Sequence, residues 1–223
     1  MPNILSVDAF TDTTLEPFVR GFLHRPTKSN HKGLVFTHGA GGNAKAGLLF
    51  ALAEAFAGAG FAVLRCDLPF RQDRPFGPPR PAGASRDQAG LKNAVAAMRK
   101  LVSGRVFLGG QSYGGRQATM LCAEEPGLVD GLLLTSYPLH PPGKPAALRV
   151  QHFPKLSVPA LFVSGTRDPF GSVEEIEKAL KLISAKTKLL VMDGVGHDLG
   201  FSGKKRSVEL PGNVVQEFLR FFA

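Results

Sequence analysis

Ser112 has the most specific chemical context of any residue in this chain. It lies in the pentapeptide Gly110-Gln111-Ser112-Tyr113-Gly114, which fits the pattern G-x-S-x-G. An apolar run starting at residue 106 precedes it, and a stretch of helical composition, residues 116–125, follows it. Strand, sharp turn and helix form the context in which this pattern holds a nucleophilic serine. The alternative is a chance cluster of turn residues, so partners elsewhere in the chain must decide.

The chain offers both partners that a serine nucleophile requires, a base to accept its proton and an acid to orient that base. His197 stands in Gly194-Val195-Gly196-His197 after the last predicted strand, and Asp168 follows another strand in Gly165-Thr166-Arg167-Asp168. The order serine, aspartate, histidine is the order found in α/β-hydrolases. We therefore predict that Ser112, Asp168 and His197 form a catalytic triad.

Three other carboxylates compete for the role of the acid. Asp67 could cap or pair with an arginine-rich loop, Asp193 could end the last strand, and Asp198 points away from its neighbour His197 unless the backbone doubles back. Asp168 is preferred. The histidines in weaker contexts, early or near prolines, are His24, His31, His140 and His152.

A glycine-rich loop, His38-Gly39-Ala40-Gly41-Gly42, connects an apolar strand to a helical stretch. In serine hydrolases of this type such a loop supplies one backbone donor to the oxyanion hole, and the residue after the nucleophile supplies the other. We predict the amides of Ala40 and Tyr113 for these roles. The alternatives are an ordinary strand-to-helix turn or a phosphate cradle, although no Gly-Lys-Ser/Thr follows to complete a P-loop.

These residues need a scaffold that brings separate strand ends together. From residue 33 onward, apolar strand segments alternate with helical ones, which predicts a doubly wound, mostly parallel α/β sheet with helices on both faces. The predicted strands are 18–24, 33–37, 61–66, a segment from 106, 131–135, 159–164 and 189–192, and the predicted helices are 46–57, 87–102, 116–125, 172–183 and 208–222. His38, Ser112, Asp168 and His197 each follow a strand, so they should converge at the carboxyl ends.

Two loops should shape the substrate site. Residues 71–86 combine four arginines with four prolines, which predicts an irregular basic loop on the same rim as Ser112. We predict that Arg71 and Arg74 bind a carboxylate or phosphate of the substrate, the alternative being solvated surface charge. Residues 138–154 are too few for a cap domain, so the site should be open and should accept short acyl groups.

Composition sets the remaining limits. The 223 residues, 43% of them hydrophobic, suit a single domain spanning 1–223. No apolar run approaches the roughly 20 residues of a membrane span, and two isolated cysteines favour the cytoplasm. The net charge of +9 attracts anions. The predicted triad implies a small acyl substrate. No nucleic-acid module and no metal-ligand spacing are evident, so we expect no nucleic-acid partner and neither cofactor nor metal. We also expect no membrane partner.

Taken together, the motifs resemble the α/β-hydrolase superfamily over nearly the whole chain. The segments 38–42, 68–71, 110–116, 137–144, 165–171 and 194–197 are similar to a family of small hydrolase-like proteins. That family includes testis-expressed and chromatin-complex members of animals and bacterial dienelactone-hydrolase-like proteins. The resemblance implies the fold and the triad but not a substrate. Dienelactone hydrolases use a cysteine nucleophile where this chain has Ser112, so lactone specificity is not carried over.

Two functions are therefore open. The first is a serine hydrolase that cleaves a small ester, thioester or related acyl bond through an acyl-Ser112 intermediate. The second is a hydrolase-fold scaffold that binds a protein or nucleic acid and catalyses little, which the +9 charge and the chromatin-complex relatives favour. Retention of Ser112, Asp168 and His197 with both loops favours the enzyme.

Overall fold

The computed structural model describes residues 4–201 and 208–223. Within these ranges the strands are β1 Ile4–Asp12, β2 Val19–Pro26, β3 Gly33–Thr37, β4 Ala62–Cys66, β5 Val106–Gln111, β6 Gly131–Thr135, β7 Ala160–Gly165 and β8 Thr187–Met192. The α-helices are α1 Gly47–Gly58, α2 Pro69–Asp73, α3 Ala84–Leu101, α4 Tyr113–Glu124, α5 Val173–Leu180 and α6 Leu210–Phe221. Short 3₁₀ turns occupy Pro81–Gly83 and Phe153–Lys155.

The described strands form one sheet in the order β1-β2-β4-β3-β5-β6-β7-β8. β1 and β2 run antiparallel to each other, and β2 runs antiparallel to β4. The other neighbouring strands pair in parallel: β4 with β3, β3 with β5, β5 with β6, β6 with β7 and β7 with β8. The predicted mostly parallel α/β class is confirmed, and the strands β3 to β8 end at one common edge.

Alternation along the central strands explains why helices cover both faces. In β3, Leu34 and Phe36 pack into the cluster that contains α1 and α6, whereas Val35 packs into the cluster that contains α3, α4 and α5. Successive side chains of a strand point to opposite faces, so an uninterrupted apolar run requires a cover on each side. The two apolar layers hold the sheet rigid beneath its carboxyl edge.

The antiparallel strand β1 was not predicted. Its side chains alternate irregularly between half-buried and exposed, and the segment contains Asp8, Thr11 and Asp12. It forms because its backbone pairs with β2 along the edge of the sheet. A strand that is held by backbone pairing needs no apolar periodicity, so the sequence carries no pattern by which to recognise it.

The prediction that residues 71–86 are irregular throughout is wrong at both ends. Helix α2 includes Arg71 and ends at Asp73, and α3 begins at Ala84 rather than at residue 87. Pro69 occupies the first turn of α2, and Pro81 the first turn of the following 3₁₀ segment. Proline is tolerated there because the first amides of a helix have no intrahelical acceptor. A high proportion of proline in this segment therefore indicates helix N-termini as well as loops.

Helices α5 and α6 begin with different local signals. Ser172 caps α5 in a reciprocal capping box, in which the Glu175 amide donates to Ser172 Oγ (3.3 Å) and the Ser172 amide donates to Glu175 Oε2 (2.8 Å). Pro211 lies in the first turn of α6 instead of interrupting it. The predicted helices 172–183 and 208–222 are therefore present in shortened form.

Candidate active site

Ser112 sits at a strained turn between β5 and α4. Its backbone has φ 50° and ψ −116°, a left-handed conformation that is costly for a residue with a side chain. The Ser112 amide donates to the carbonyl of Thr135 (2.9 Å), which ties the turn to β6. A Cβ on Gly110 would lie 2.7 Å from the carbonyl carbon of Gly114. Glycine is therefore required where strand and helix cross.

His197 and Asp168 converge on this serine from the loops after β8 and β7. His197 Nε2 lies 2.8 Å from Ser112 Oγ. His197 Nδ1 lies 2.9 and 2.8 Å from the two carboxylate oxygens of Asp168. In the neutral ring these contacts are satisfied when Nδ1–H donates to the carboxylate and the Ser112 hydroxyl donates to Nε2. This tautomer leaves a basic lone pair facing the serine.

The acid and the base are held by further contacts. The Asp168 side chain is 1% exposed, and its Oδ1 also accepts from the amide of Phe170 (2.9 Å). The ring of Phe170 stacks on the imidazole of His197 with a centroid distance of 4.1 Å. The sequence analysis did not predict this role of Phe170, although its position two residues after Asp168 indicated that it would lie near the triad. The stack and the carboxylate together fix the plane of the imidazole.

The other carboxylates bind elsewhere. Asp67 accepts from the amide of Ala44 (2.6 Å), Asp193 from the hydroxyl of Thr166 (3.2 Å), and Asp198 from the amide of Gly200 (3.1 Å). Of the four candidate acids, Asp168 is the one that the described contacts place on His197.

The remaining candidate histidines have other partners or are exposed. His24 Nε2 accepts from Nε of Arg65 (2.7 Å), and burial followed by the Arg65 charge lowers the pKa of His24 to about 4. Burial likewise lowers the pKa of His152 to about 4. His140 lies 3.2 Å from Glu175, and His31 is exposed. None of these contacts involves Ser112.

The loop 38–42 approaches the nucleophile through Gly39. A Cβ on Gly39 would lie 3.3 Å from Cβ of Ser112. His38 is fully buried behind the loop, where its Nε2 accepts from the amide of Leu68 (3.1 Å) and its Nδ1 lies 2.8 Å from the carbonyl oxygen of Gly39. Burial lowers the pKa of His38. The neutral ring thus bridges two backbone segments and braces the loop that carries Ala40.

Arg71 and Arg74, predicted to bind substrate, point their donors at the protein instead. Arg71 is 7% exposed, and its guanidinium donates to the carbonyl oxygens of Gly42 (2.8 Å), Ala40 (2.8 Å), Gly77 (3.1 Å) and Arg74 (3.2 Å). Arg74 donates to the carbonyl of Pro78 (2.8 Å). Arg71 therefore clamps the loop 38–42 to residues 74–77. Arg74 closes the turn that follows.

The side chain of Tyr113 is anchored rather than free. Its hydroxyl donates to Asp87 Oδ2 (2.8 Å), whose other oxygen accepts from the amide of Phe70 (3.0 Å). Burial raises the pKa of Asp87 and, together with the bond to Asp87, raises that of Tyr113. Tyr113 is the first residue of α4, where backbone amides lack intrahelical acceptors. Its N–H therefore has no intrahelical acceptor, a condition that the predicted role as an oxyanion donor requires.

Ser112, Tyr113 and Ala40 line one cavity of about 550 Å³. Its other walls include Pro138 from the segment after β6 and Phe170 beside the imidazole. Two arginines, Arg116 and Arg149, also line it, and neither was predicted as a site residue. Arg116 directly follows the glycine-rich turn in the chain, and that proximity to Ser112 was the available signal.

Across residues 4–201 and 208–223, no three His, Cys, Asp or Glu side chains are grouped so as to hold a metal ion. No helix in the same ranges is both long and apolar enough to cross a membrane.

A family model described as an alpha/beta hydrolase domain matches residues 30–221. The chain therefore belongs to the alpha/beta hydrolase family, as the motifs predicted, and the family supports hydrolase activity. No cap domain is inserted between the described strands, in agreement with the predicted open architecture.

Several solved structures share the fold. Est1E from Butyrivibrio proteoclasticus is 17% identical with a TM-score of 0.74, covering 95% of this chain and 98% of its own. Dienelactone hydrolase from Anabaena variabilis is 19% identical with a TM-score of 0.74, covering 98% and 99%. XC6422 from Xanthomonas campestris, described as an α/β serine hydrolase without lid, is 16% identical with a TM-score of 0.71, covering 97% and 95%. The predicted kinship with dienelactone-hydrolase-like proteins is confirmed at the level of fold.

Proposed function

We propose that this protein is a serine hydrolase that cleaves a small ester or thioester through an acyl-Ser112 intermediate. The observation that carries the proposal is the chain of contacts from Ser112 Oγ to His197 Nε2 (2.8 Å) and from His197 Nδ1 to Asp168 (2.8 Å). Nucleophile, base and orienting acid at hydrogen-bond distance are the recognised arrangement of such a triad.

Acylation follows from these positions. Ser112 Oγ attacks the carbonyl carbon of the substrate while His197 Nε2 takes the hydroxyl proton, and Asp168 stabilises the resulting imidazolium. The amides of Ala40 and Tyr113 donate to the oxyanion that develops on the carbonyl oxygen. When the tetrahedral intermediate collapses, the bond to the leaving oxygen or sulfur breaks and His197 returns the proton to that atom. The products of this half-reaction are an alcohol or thiol and the acyl-enzyme.

Deacylation repeats the sequence with water. His197 takes a proton from a water molecule, the hydroxide attacks the acyl carbon, and Ser112 leaves with the proton from His197. The released product is a carboxylic acid. The lack of a cap domain between the described strands supports short acyl groups as substrates, because a long acyl chain would have no apolar roof to cover it.

The proposal is tested by labelling with a fluorophosphonate probe, which phosphonylates an activated serine. Wild-type protein should be labelled, and Ser112→Ala should abolish the labelling. Ser164→Ala is the matched control, because Ser164 is a buried serine near the end of β7, which β6 separates from β5, and its removal should leave labelling intact. Equal labelling of Ser112→Ala and wild type would reject Ser112 as the nucleophile.

Kinetics of the triad variants provide a second test. Ser112→Ala and His197→Ala should each lose most of kcat for an ester, by a factor on the order of 10⁴ or more, and the double variant should lose little more. Non-additivity is expected because neither residue assists the reaction without the other. Multiplied losses in the double variant would indicate two independent roles.

A further inference from the structure

The cavity beside Ser112 contains two arginines that have no part in the triad or the oxyanion hole. Arg116 and Arg149 line it together with Ser112, and Arg80 lies on its exposed rim. The inference drawn from them concerns which substrate the cavity selects, and it rests on the proposed hydrolase function.

Arg116 stands one turn beyond the nucleophile on α4. Its amide donates to the carbonyl of Ser112 (3.0 Å), so its position relative to the nucleophile is set by the helix. One helical turn corresponds to a rise of roughly 5.4 Å along the axis. The Nε–H of Arg116 is buried and donates no hydrogen bond to any described residue. A buried donor without an acceptor is destabilising. A ligand that supplied an acceptor to this guanidinium would remove that cost.

Arg149 lines the same cavity, and its backbone is fixed by two hydrogen bonds. Its amide donates to the carbonyl of Leu139 (2.8 Å), and its carbonyl accepts from the hydroxyl of buried Tyr137 (2.8 Å). The side chain itself makes only one long contact among the described residues, from Nη1 to the carbonyl of Pro138 (3.4 Å). The backbone of Arg149 is thus fixed while most donors of its guanidinium remain unused.

No carboxylate neutralises the pair. In the described ranges neither Arg116 nor Arg149 forms an ion pair with an acid. The sequence of residues 1–3 and 202–207 contains no Asp or Glu. Burial, and secondly the positive charge of Arg116, lower the pKa of Arg149. Two half-buried like charges without a counter-charge are unfavourable, and an anion between them would relieve both the repulsion and the missing hydrogen bonds.

We infer that Arg116 and Arg149, which line the same cavity as Ser112, form a subsite for a carboxylate carried by the ester substrate. The planar fork of a guanidinium matches the two oxygens of a carboxylate. Apolar wall residues of the same cavity, Met120 and Phe170, suit a short methylene spacer between the carboxylate and the scissile bond. The substrate class is therefore short esters with a second, free carboxylate, such as monoesters of dicarboxylic acids.

The test compares esters that differ in one group. Monoethyl glutarate and ethyl pentanoate have acyl chains of equal length that end in a carboxylate or a methyl group, and ethanol release measures both. A second pair, 4-acetoxybenzoate and 4-methylphenyl acetate, places the charge on the leaving group. In at least one pair we expect wild type to prefer the charged member in kcat/KM by about tenfold to hundredfold, the range of a charge-assisted contact.

The variants Arg116→Gln and Arg149→Gln should each reduce that preference about tenfold or more. Arg220→Gln is the matched control, because it removes the same charge from an exposed position of α6 on the other face of the sheet and should leave the preference unchanged. Raising the salt concentration should lower the preference of the unmutated protein, a readout that requires no variant to fold.

Two negative results have different meanings. Hydrolysis of the neutral esters that depends on Ser112, with no preference for the charged member of either pair, would overturn the carboxylate subsite and leave the proposed hydrolase intact. A preference that survives both arginine substitutions would also overturn it. Failure of every ester to react, with no probe labelling of Ser112, would instead reject the proposed function.

Discussion

Replacing Arg71 by methionine separates the clamp seen in the structure from the substrate-binding role predicted from the sequence. Methionine retains an unbranched apolar chain but has no donors. The substitution therefore removes the four bonds from the guanidinium to the carbonyls of Gly42, Ala40, Gly77 and Arg74. We expect loss of stability and loss of kcat together, because two of those carbonyls belong to the loop that presents the Ala40 amide.

The size of the effect follows from the contacts. Hydrogen bonds to a charged group contribute about 1.5–3 kcal/mol each, but four bonds from one side chain are not additive. The cost of burying the guanidinium, which is lost together with the bonds, offsets part of their sum. We expect a net destabilisation of about 3 kcal/mol, near the upper end for single substitutions. With a urea slope of about 2 kcal/mol/M, the unfolding midpoint should fall by about 1.5 M.

Catalysis should suffer through the oxyanion donor. Complete loss of one such donor lowers kcat by about 10²–10³-fold, and a loosened loop should cause a part of that, about tenfold to hundredfold. KM for neutral and carboxylated esters should change in parallel. Arg74→Met is the matched control, because Arg74 donates a single described bond to Pro78 and its loss should change stability by less than about 1 kcal/mol.

The measurements are urea unfolding followed by circular dichroism and initial rates on a neutral and a carboxylated ester. A normal kcat in a destabilised Arg71→Met protein would refute the link between the clamp and Ala40. An increase in KM confined to the carboxylated ester, in both Arg71→Met and Arg74→Met, would restore the sequence-based prediction that these residues bind the substrate anion.

Two more predictions concern the turn at the nucleophile and a buried histidine. Gly110→Ala should destabilise the protein by about 2 kcal/mol or more and abolish ester hydrolysis, because its Cβ would clash with α4, whereas Gly41→Ala has no atom within 4 Å of its Cβ and should unfold at the wild-type urea midpoint. His24 has a pKa lowered to about 4. Between pH 6.5 and 4 the unfolded state binds more protons there, so stability should decrease as pH falls. His24→Gln keeps an acceptor for Arg65 and should flatten this slope in urea midpoints measured across that range, whereas exposed His31→Asn should not. An unchanged slope in His24→Gln would mean that other groups cause the acid sensitivity.

The sequence alone predicted the scaffold and the order of the candidate triad, because both depend on local signals. Apolar strands alternating with helical segments can bury their side chains only in a sheet covered on both faces. Parallel strands then bring their carboxyl ends to one edge, and the structure places Ser112, Asp168 and His197 there within hydrogen-bond distance. The role of the glycines around Ser112 was also predictable from a local pattern, because only glycine fits where β5 and α4 cross.

Tertiary structure decided which charged side chains face the substrate cavity. The arginine-rich segment 71–86 stands out by composition, yet the direction of a guanidinium depends on which acceptors the fold brings near it. For Arg71, two of the four acceptors are carbonyls of the loop 38–42, about 30 residues earlier in the chain. Arg116 and Arg149, 33 positions apart, meet only because α4 and the segment after β6 enclose the same cavity. Local sequence patterns report the conformation of a segment, whereas long-range packing determines what each of its charges contacts.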